Sequence, residues 1–96
     1  MYIKMAIDTW GADGQIGQLF EEMGELQTAL SRYHYRNRGS LDNIAEEIVD
    51  VSIMIREMIE LYNIHELVDD WLETKTEKLK NQLLKGKNYA VKPNGS

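Results

Sequence analysis

The chain has one proline, Pro93 of 96 residues, so nothing ahead of it forbids long helices. Gly11, Gly14 and Gly17 cluster early, Gly39 stands mid-chain, and only Gly24 interrupts a helical pattern before Gly86 and Gly95. Between these breaks the apolar residues recur at helical spacing. Ile16, Leu19, Phe20, Met23, Leu26 and Leu30 predict a helix from about Asp13 to Tyr35, ended by the basic stretch RNRGS. Ser40 is a good N-cap for a second helix reaching about Tyr62, with Ile44, Ile48, Val51, Ile55, Met58 and Tyr62 as its apolar stripe. A third helix is expected to open at Asn63, where Asn63 and Glu66 form a capping-box-like pair. Leu67, Val68, Trp71, Leu72, Leu79 and Leu83 carry its stripe, and Gly86 is its expected stop. The pattern also allows a short helix over residues 2–9, before Trp10-Gly11.

Strand signals are almost absent. The expected fold class is all-α, an antiparallel helical bundle of three main helices. One domain spans residues 1–96, with a core over about 10–85 and a basic tail over 86–96. A chain this short buries only about 60–65% of its unfolded surface, so the bundle is expected to be completed by homo-oligomerisation.

Composition removes several function classes. A formal charge of −5 argues against binding duplex nucleic acid, which calls for a basic surface. Zero cysteines exclude disulfides, thiolate zinc sites and a thiol nucleophile. No apolar run approaches the ~18 residues of a membrane span, and the start MYIKMAIDTW shows no signal-peptide core. No membrane association and a cytoplasmic location are therefore expected. Lysines concentrate late: Lys75 to Lys92 holds six, with Glu77 as the single acid. Such a stretch is either a solvated face or an anion-binding arm.

Two acidic clusters stand out, Glu21-Glu22-Met23-Gly24-Glu25 and Glu46-Glu47-Ile48-Val49-Asp50. Glu22 with Glu25, and Glu47 with Asp50, are i, i+3 pairs, which share one helix face. An antiparallel turn at RNRGS sets Glu25 and Asp50 at about the same height, so the pairs face each other across a helix seam. Glu47 also lies about 60° from the centre of its helix's apolar stripe, where a carboxylate is costly unless paired or metal-bound. A single pair would read as a solvated face. Two facing pairs repel without a cation. All the donors are oxygens, which selects a hard ion, Mg²⁺ or Mn²⁺. Neither His34 nor His65 sits three residues after a glutamate, as a di-iron bundle requires.

The strings EEMGEL and EEIVDV, with the stretch 26 to 46 between the two parts, resemble the EExxE…ExxD signature of the MazG-like all-α nucleoside triphosphate pyrophosphohydrolases. The segments WGADGQIGQLFEEMGELQTALSRY and LDNIAEEIVDVSIMI extend the resemblance over roughly residues 10 to 85. It implies Mg²⁺-dependent cleavage of a nucleoside triphosphate between the α and β phosphates, giving a monophosphate and pyrophosphate. Carried over residue by residue, Glu22, Glu25, Glu47 and Asp50 would be the metal ligands. Glu21 completes the catalytic motif and would orient or deprotonate the attacking water.

The resemblance also points to a phosphate-binding lysine near Lys75, with Lys78 one turn further on; either lysine can instead be a snorkelling side chain. Asn81-Gln82 stands where the family often carries an arginine. Dimers or tetramers are implied as well. Trp10, Tyr33, Tyr35 and Tyr89 either stack on a base or pack in a core or interface, and Gln15 and Gln18 fall near a pocket mouth. His34 and His65 read as surface residues. Two further readings remain open: phosphoribosyl-ATP pyrophosphohydrolase, and a catalytically silent nucleotide-binding or self-assembling module.

Overall fold

The structure, a computed structural model, describes residues 2–90, with side chains through residue 86. Three helices and no strand occur among the described residues: α1 (Tyr2–Arg36), α2 (Leu41–Tyr62) and α3 (His65–Ala90). None is long and apolar enough to cross a membrane. The chain divides into two units at Asn63/Ile64.

In the first unit α1 packs against α2. Gln15 meets Glu57 and, seven residues further along α1 and seven back along α2, Glu22 meets Asp50, so the helices run antiparallel. The sequence places Glu25 opposite Asp50. The actual register is one turn earlier, with Glu22 there instead.

The ends of these helices follow local chemistry. α1 is one hydrogen-bonded run broken at Gly11, whose φ of 81° and ψ of 161° are not helical. The expected short N-terminal helix is the segment ahead of this kink. After Arg36, Asn37 and Gly39 adopt positive φ, and the Arg38 N–H donates back to the Arg32 carbonyl at 3.0 Å. Ser40 caps α2 as expected: its Oγ accepts from the Asn43 N–H at 3.0 Å. Asn63 has a different job from the expected one. It ends α2 in the left-handed conformation, its N–H donating to the Glu60 and Ile59 carbonyls, and α3 begins two residues later. Asparagine suits both an N-cap and a left-handed C-cap, and here the turn out of α2 takes it.

The seam itself corrects the sequence reading. On α1 it runs through Gln15, Leu19, Glu22, Leu26 and Ala29, and on α2 through Asn43, Glu47, Asp50, Met54, Glu57 and Leu61. Both are four-three heptad spacings. Ala29 and Met54 are the only buried apolar residues among those described. The expected α2 stripe is not the packed face: Ile44, Val51 and Met58 are half-buried at its flank, while Ile48, Ile55 and Tyr62 are exposed. Phe20, Met23 and Leu30 of α1 are exposed too. Met54, absent from the expected stripe, is only 5% exposed and belongs to the hairpin's own core.

The second unit is α3. Its helix continues through Gly86 to Ala90, so Gly86 is not a stop, and the expected tail from residue 86 begins as helix. A glycine in an exposed helix costs only about 1 kcal/mol, which does not by itself end the run. Every side chain from Asp69 to Gly86 is exposed, including the stripe residues Trp71, Leu72, Leu79 and Leu83. The side chain of Tyr89 and tail residues 91–96, Lys92 among them, lie outside the described residues.

Candidate metal centre

The hairpin register brings acids together that are far apart in sequence. Carboxylate oxygens of Glu22, Glu47 and Asp50 lie within 4.8 Å of one another, and each residue is half-buried. Glu22 comes from α1, whereas Glu47 and Asp50 stand one turn apart on α2, all three at seam positions. Glu25 is exposed and falls outside this group of three. It still acts on Glu22: the neighbouring Glu25 and Asp50 carboxylates both favour the protonated form of Glu22.

The electrostatics are those of crowded like charges. Glu22 is raised to about 7, first by its hydrogen bond with Glu25, then by burial and by the charges of Glu25 and Asp50. Glu47 is raised as well, chiefly by burial, then by its bond with Asp50 and the charges of Glu25, Asp50 and Glu46. Crowded carboxylates raise one another's pKa for lack of a counter-charge, and these three could hold a cation. Their donor set is all oxygen, which fits a hard divalent ion such as Mg²⁺, Mn²⁺ or Ca²⁺.

Glu21 and Glu25 open onto an exposed groove beside the cluster, of about 630 Å³ and shared with Glu47, Thr28, Arg32 and Asn43. Arg32 was not singled out from the sequence. It lies seven residues after Glu25, two turns along the same face, and that spacing is the signal that could have found it. It brings a guanidinium to an acidic groove, the residue type suited to phosphate.

Lys75 and Lys78 belong to α3, the second unit. The Lys75 ammonium lies 5.7 Å from the Trp71 ring centroid, a cation–π contact along the helix. Lys78 lines a groove of about 790 Å³ whose walls all come from α3. One helix face alone converges on nothing, so this larger space defines no enclosed site.

Trp10, Gln15 and Gln18 line a separate cavity between α1 and α2, together with Gly14, Met54 and Glu57. Glu57 stands among the acids of α2 and was not singled out from the sequence. It is 3% exposed at the seam. Its position seven residues after Asp50 carried that information. Tyr33 and Tyr35 end α1 exposed, and His34 packs edge-on to Tyr35 at 4.6 Å. His34 and His65 are at the surface, as expected.

Searched against family models, curated proteins and solved structures, the chain matches none of them.

Proposed function

We propose that the protein is a divalent-cation-dependent nucleoside triphosphate pyrophosphohydrolase, using Mg²⁺ or Mn²⁺ and releasing a nucleoside monophosphate and pyrophosphate. The observation that carries this reading is the convergence of Glu22, Glu47 and Asp50 within 4.8 Å. Their sequence context, EEMGEL and EEIVDV, resembles the MazG-like enzymes and supplies the reaction class.

A triphosphate is an anion and the groove is acidic, so the two repel until a cation joins them. When bound, the ion neutralises the phosphates, polarises their oxygens and lowers the pKa of a coordinated water. Glu22, Glu47 and Asp50 would hold it from both helices, and Glu25, in the adjoining groove, would complete the set. Glu21, exposed in the same groove, orients or deprotonates the water. The water oxygen bonds to phosphorus on one side of the α–β anhydride, and the bridging oxygen leaves with the electron pair on the other side. The water's proton passes to the base. No covalent enzyme intermediate is needed, because positioning and charge stabilisation do the work. Arg32 at the groove is a cation proposed to meet phosphate, and Lys75 and Lys78 are proposed as phosphate-binding on the resemblance alone. The working form is proposed to be a homo-oligomer, which covers the exposed Ile48, Ile55 and Tyr62.

The test is a panel of nucleoside triphosphates incubated with Mg²⁺, with pyrophosphate resolved from orthophosphate. Pyrophosphate and monophosphate in equal amounts support the reading. Orthophosphate as the product, or no turnover of any triphosphate, refutes it.

A further inference from the structure

Along the seam from Glu22 and Asp50 lies the cavity lined by Trp10, Gly14, Gln15, Gln18, Met54 and Glu57, about 540 Å³ in volume. Its floor is buried and its rim exposed. Gln15 and Glu57 are 6% and 3% exposed, whereas Trp10 is 66% exposed. With its amide nitrogen turned toward Glu57, Gln15 donates to the carboxylate, reaching Oε1 at 2.5 Å and Oε2 at 3.1 Å. Gln18 joins the cavity to the carboxylate cluster, its Nε2 donating to Glu22 Oε1 at 3.4 Å.

A buried acid is an expensive floor. Burial raises the Glu57 carboxyl above its usual range, which registers that cost. An ionised carboxylate has two oxygens and about four acceptor sites. One amide nitrogen from Gln15 touches both oxygens but fills only part of that capacity, and Glu57 lines the cavity. A hairpin needing only a packed seam would be served by an apolar residue beside Met54. A ligand presenting two adjacent N–H donors offsets the cost that such a residue would avoid.

Seven residues separate Glu57 from Asp50, a rise of roughly 10 Å. That span suits a nucleotide with its phosphates at the cluster and its base in the cavity. Among the common bases, only guanine offers adjacent N–H donors on its pairing edge, N1–H and the exocyclic amine. Adenine and cytosine pair a donor with an acceptor there, and uracil sets one donor between two acceptors. An indole at the rim supplies a stacking face for whichever base enters.

We infer that this cavity is a nucleobase subsite selective for guanine nucleotides, with Glu57 accepting from N1–H and the exocyclic amine, Gln15 fixing the carboxylate, and Trp10 covering the base. The inference rests on the nucleotide reading above and names its substrate class.

The test is equilibrium binding of GMP, AMP, CMP and UMP to the full chain with Mg²⁺ present; a monophosphate has no α–β anhydride to cleave, so the readout does not depend on turnover. Trp10 fluorescence reports it in a Trp71→Phe background, since the chain has two tryptophans. GMP should bind at least about fivefold tighter than AMP, the low end of discrimination by a bidentate contact. Glu57→Gln keeps the shape but presents a donor. It should erase the GMP preference and favour xanthosine monophosphate, whose C2 carbonyl accepts from the new amide. Trp10→Ala, at the exposed rim, should instead weaken all four monophosphates alike, by about tenfold; this is read by calorimetry and does not require the buried substitution to fold. Equal affinity for the four monophosphates, or no GMP binding at millimolar concentration, overturns the subsite. Pyrophosphate release without base preference would sink the subsite and leave the reaction standing. Guanine-selective binding without pyrophosphate release would do the reverse.

Discussion

Glu22 on α1 and Asp50 on α2 face each other across the hairpin seam, and the charge of Asp50 helps raise Glu22 to about 7. The sign of the resulting pH dependence follows. A carboxyl whose folded pKa lies above its unfolded value of about 4.5 favours the folded state when protonated. The metal-free protein should therefore lose stability as pH rises from about 4.5 through about 7. Thermal melts across that range, with and without Mg²⁺, check it. The metal-free Tm should fall with pH, and Mg²⁺ should flatten the fall by supplying the missing counter-charge. A metal-free Tm that rises across the window contradicts the crowded-carboxylate picture.

Removing one ligand charge should stop turnover before it disturbs the fold. Glu47→Gln and Asp50→Asn should each lower kcat/KM at least about a hundredfold, since even groups outside a metal's ligand shell cost ~10–100-fold. Circular dichroism should show unchanged helicity. If both variants kept near wild-type rates on the best substrate, the site would lie elsewhere.

Met54 is the larger of the two buried apolar residues of the hairpin. Met54→Ala should cost about 2–5 kcal/mol in denaturant unfolding, and Ser40→Ala, which removes the α2 N-cap, about 1 kcal/mol. A negligible effect at Met54 would mean that α1 and α2 do not meet along this seam.

Gly11 and Gly24 should respond with opposite signs. Neither would bring a new Cβ within 4 Å of another atom, so backbone conformation decides. Gly11, at φ 81° and ψ 161°, occupies a region that is essentially glycine's alone, and Gly11→Ala should destabilise by about 1–3 kcal/mol. Gly24 is helical, and Gly24→Ala should stabilise by about 0.5–1 kcal/mol. The same sign at both positions, in paired thermal melts, would remove the kink from the account.

Assembly should depend on the exposed face of α2. Ile55 is 48% exposed on a stripe with Ile48 and Tyr62. The chain should scatter light at a multiple of 11.1 kDa, and Ile55→Asp or Ile53→Asp should shift it toward the monomer. Met54→Asp is a poor probe, because burial in the hairpin would make it unfold whatever the assembly. A wild-type monomer at tens of micromolar, fully active, would refute the oligomer.

How far the sequence could be read depends on which signal each feature carries. Ser40 and the i, i+3 carboxylate pairs were legible because caps and same-face spacing are local. The packed face of α2 was not. Ile44, Ile48, Val51 and Ile55 mark a surface that is costly to leave in water, but hydrophobic periodicity does not say which partner covers it. The hairpin instead closes on the adjacent stripe through Glu47, Asp50, Met54 and Glu57, where acids and a cavity sit. The same misplacement left Glu57 and Met54 out of the expected seam. Asn63 and Gly86 failed for a different reason, since one residue type serves two backbone roles and tertiary context selects between them.

The central claim is that Glu22, Glu47 and Asp50 hold a divalent cation. Calorimetric titration of the metal-free protein with Mg²⁺ and Mn²⁺ near pH 6.5 tests it most directly. The account predicts saturable binding that releases protons, because Glu22 must ionise to ligate. The released fraction should shrink as pH rises above about 7, and Asp50→Asn should abolish the binding. A folded protein that takes up neither ion at millimolar concentration would contradict the account.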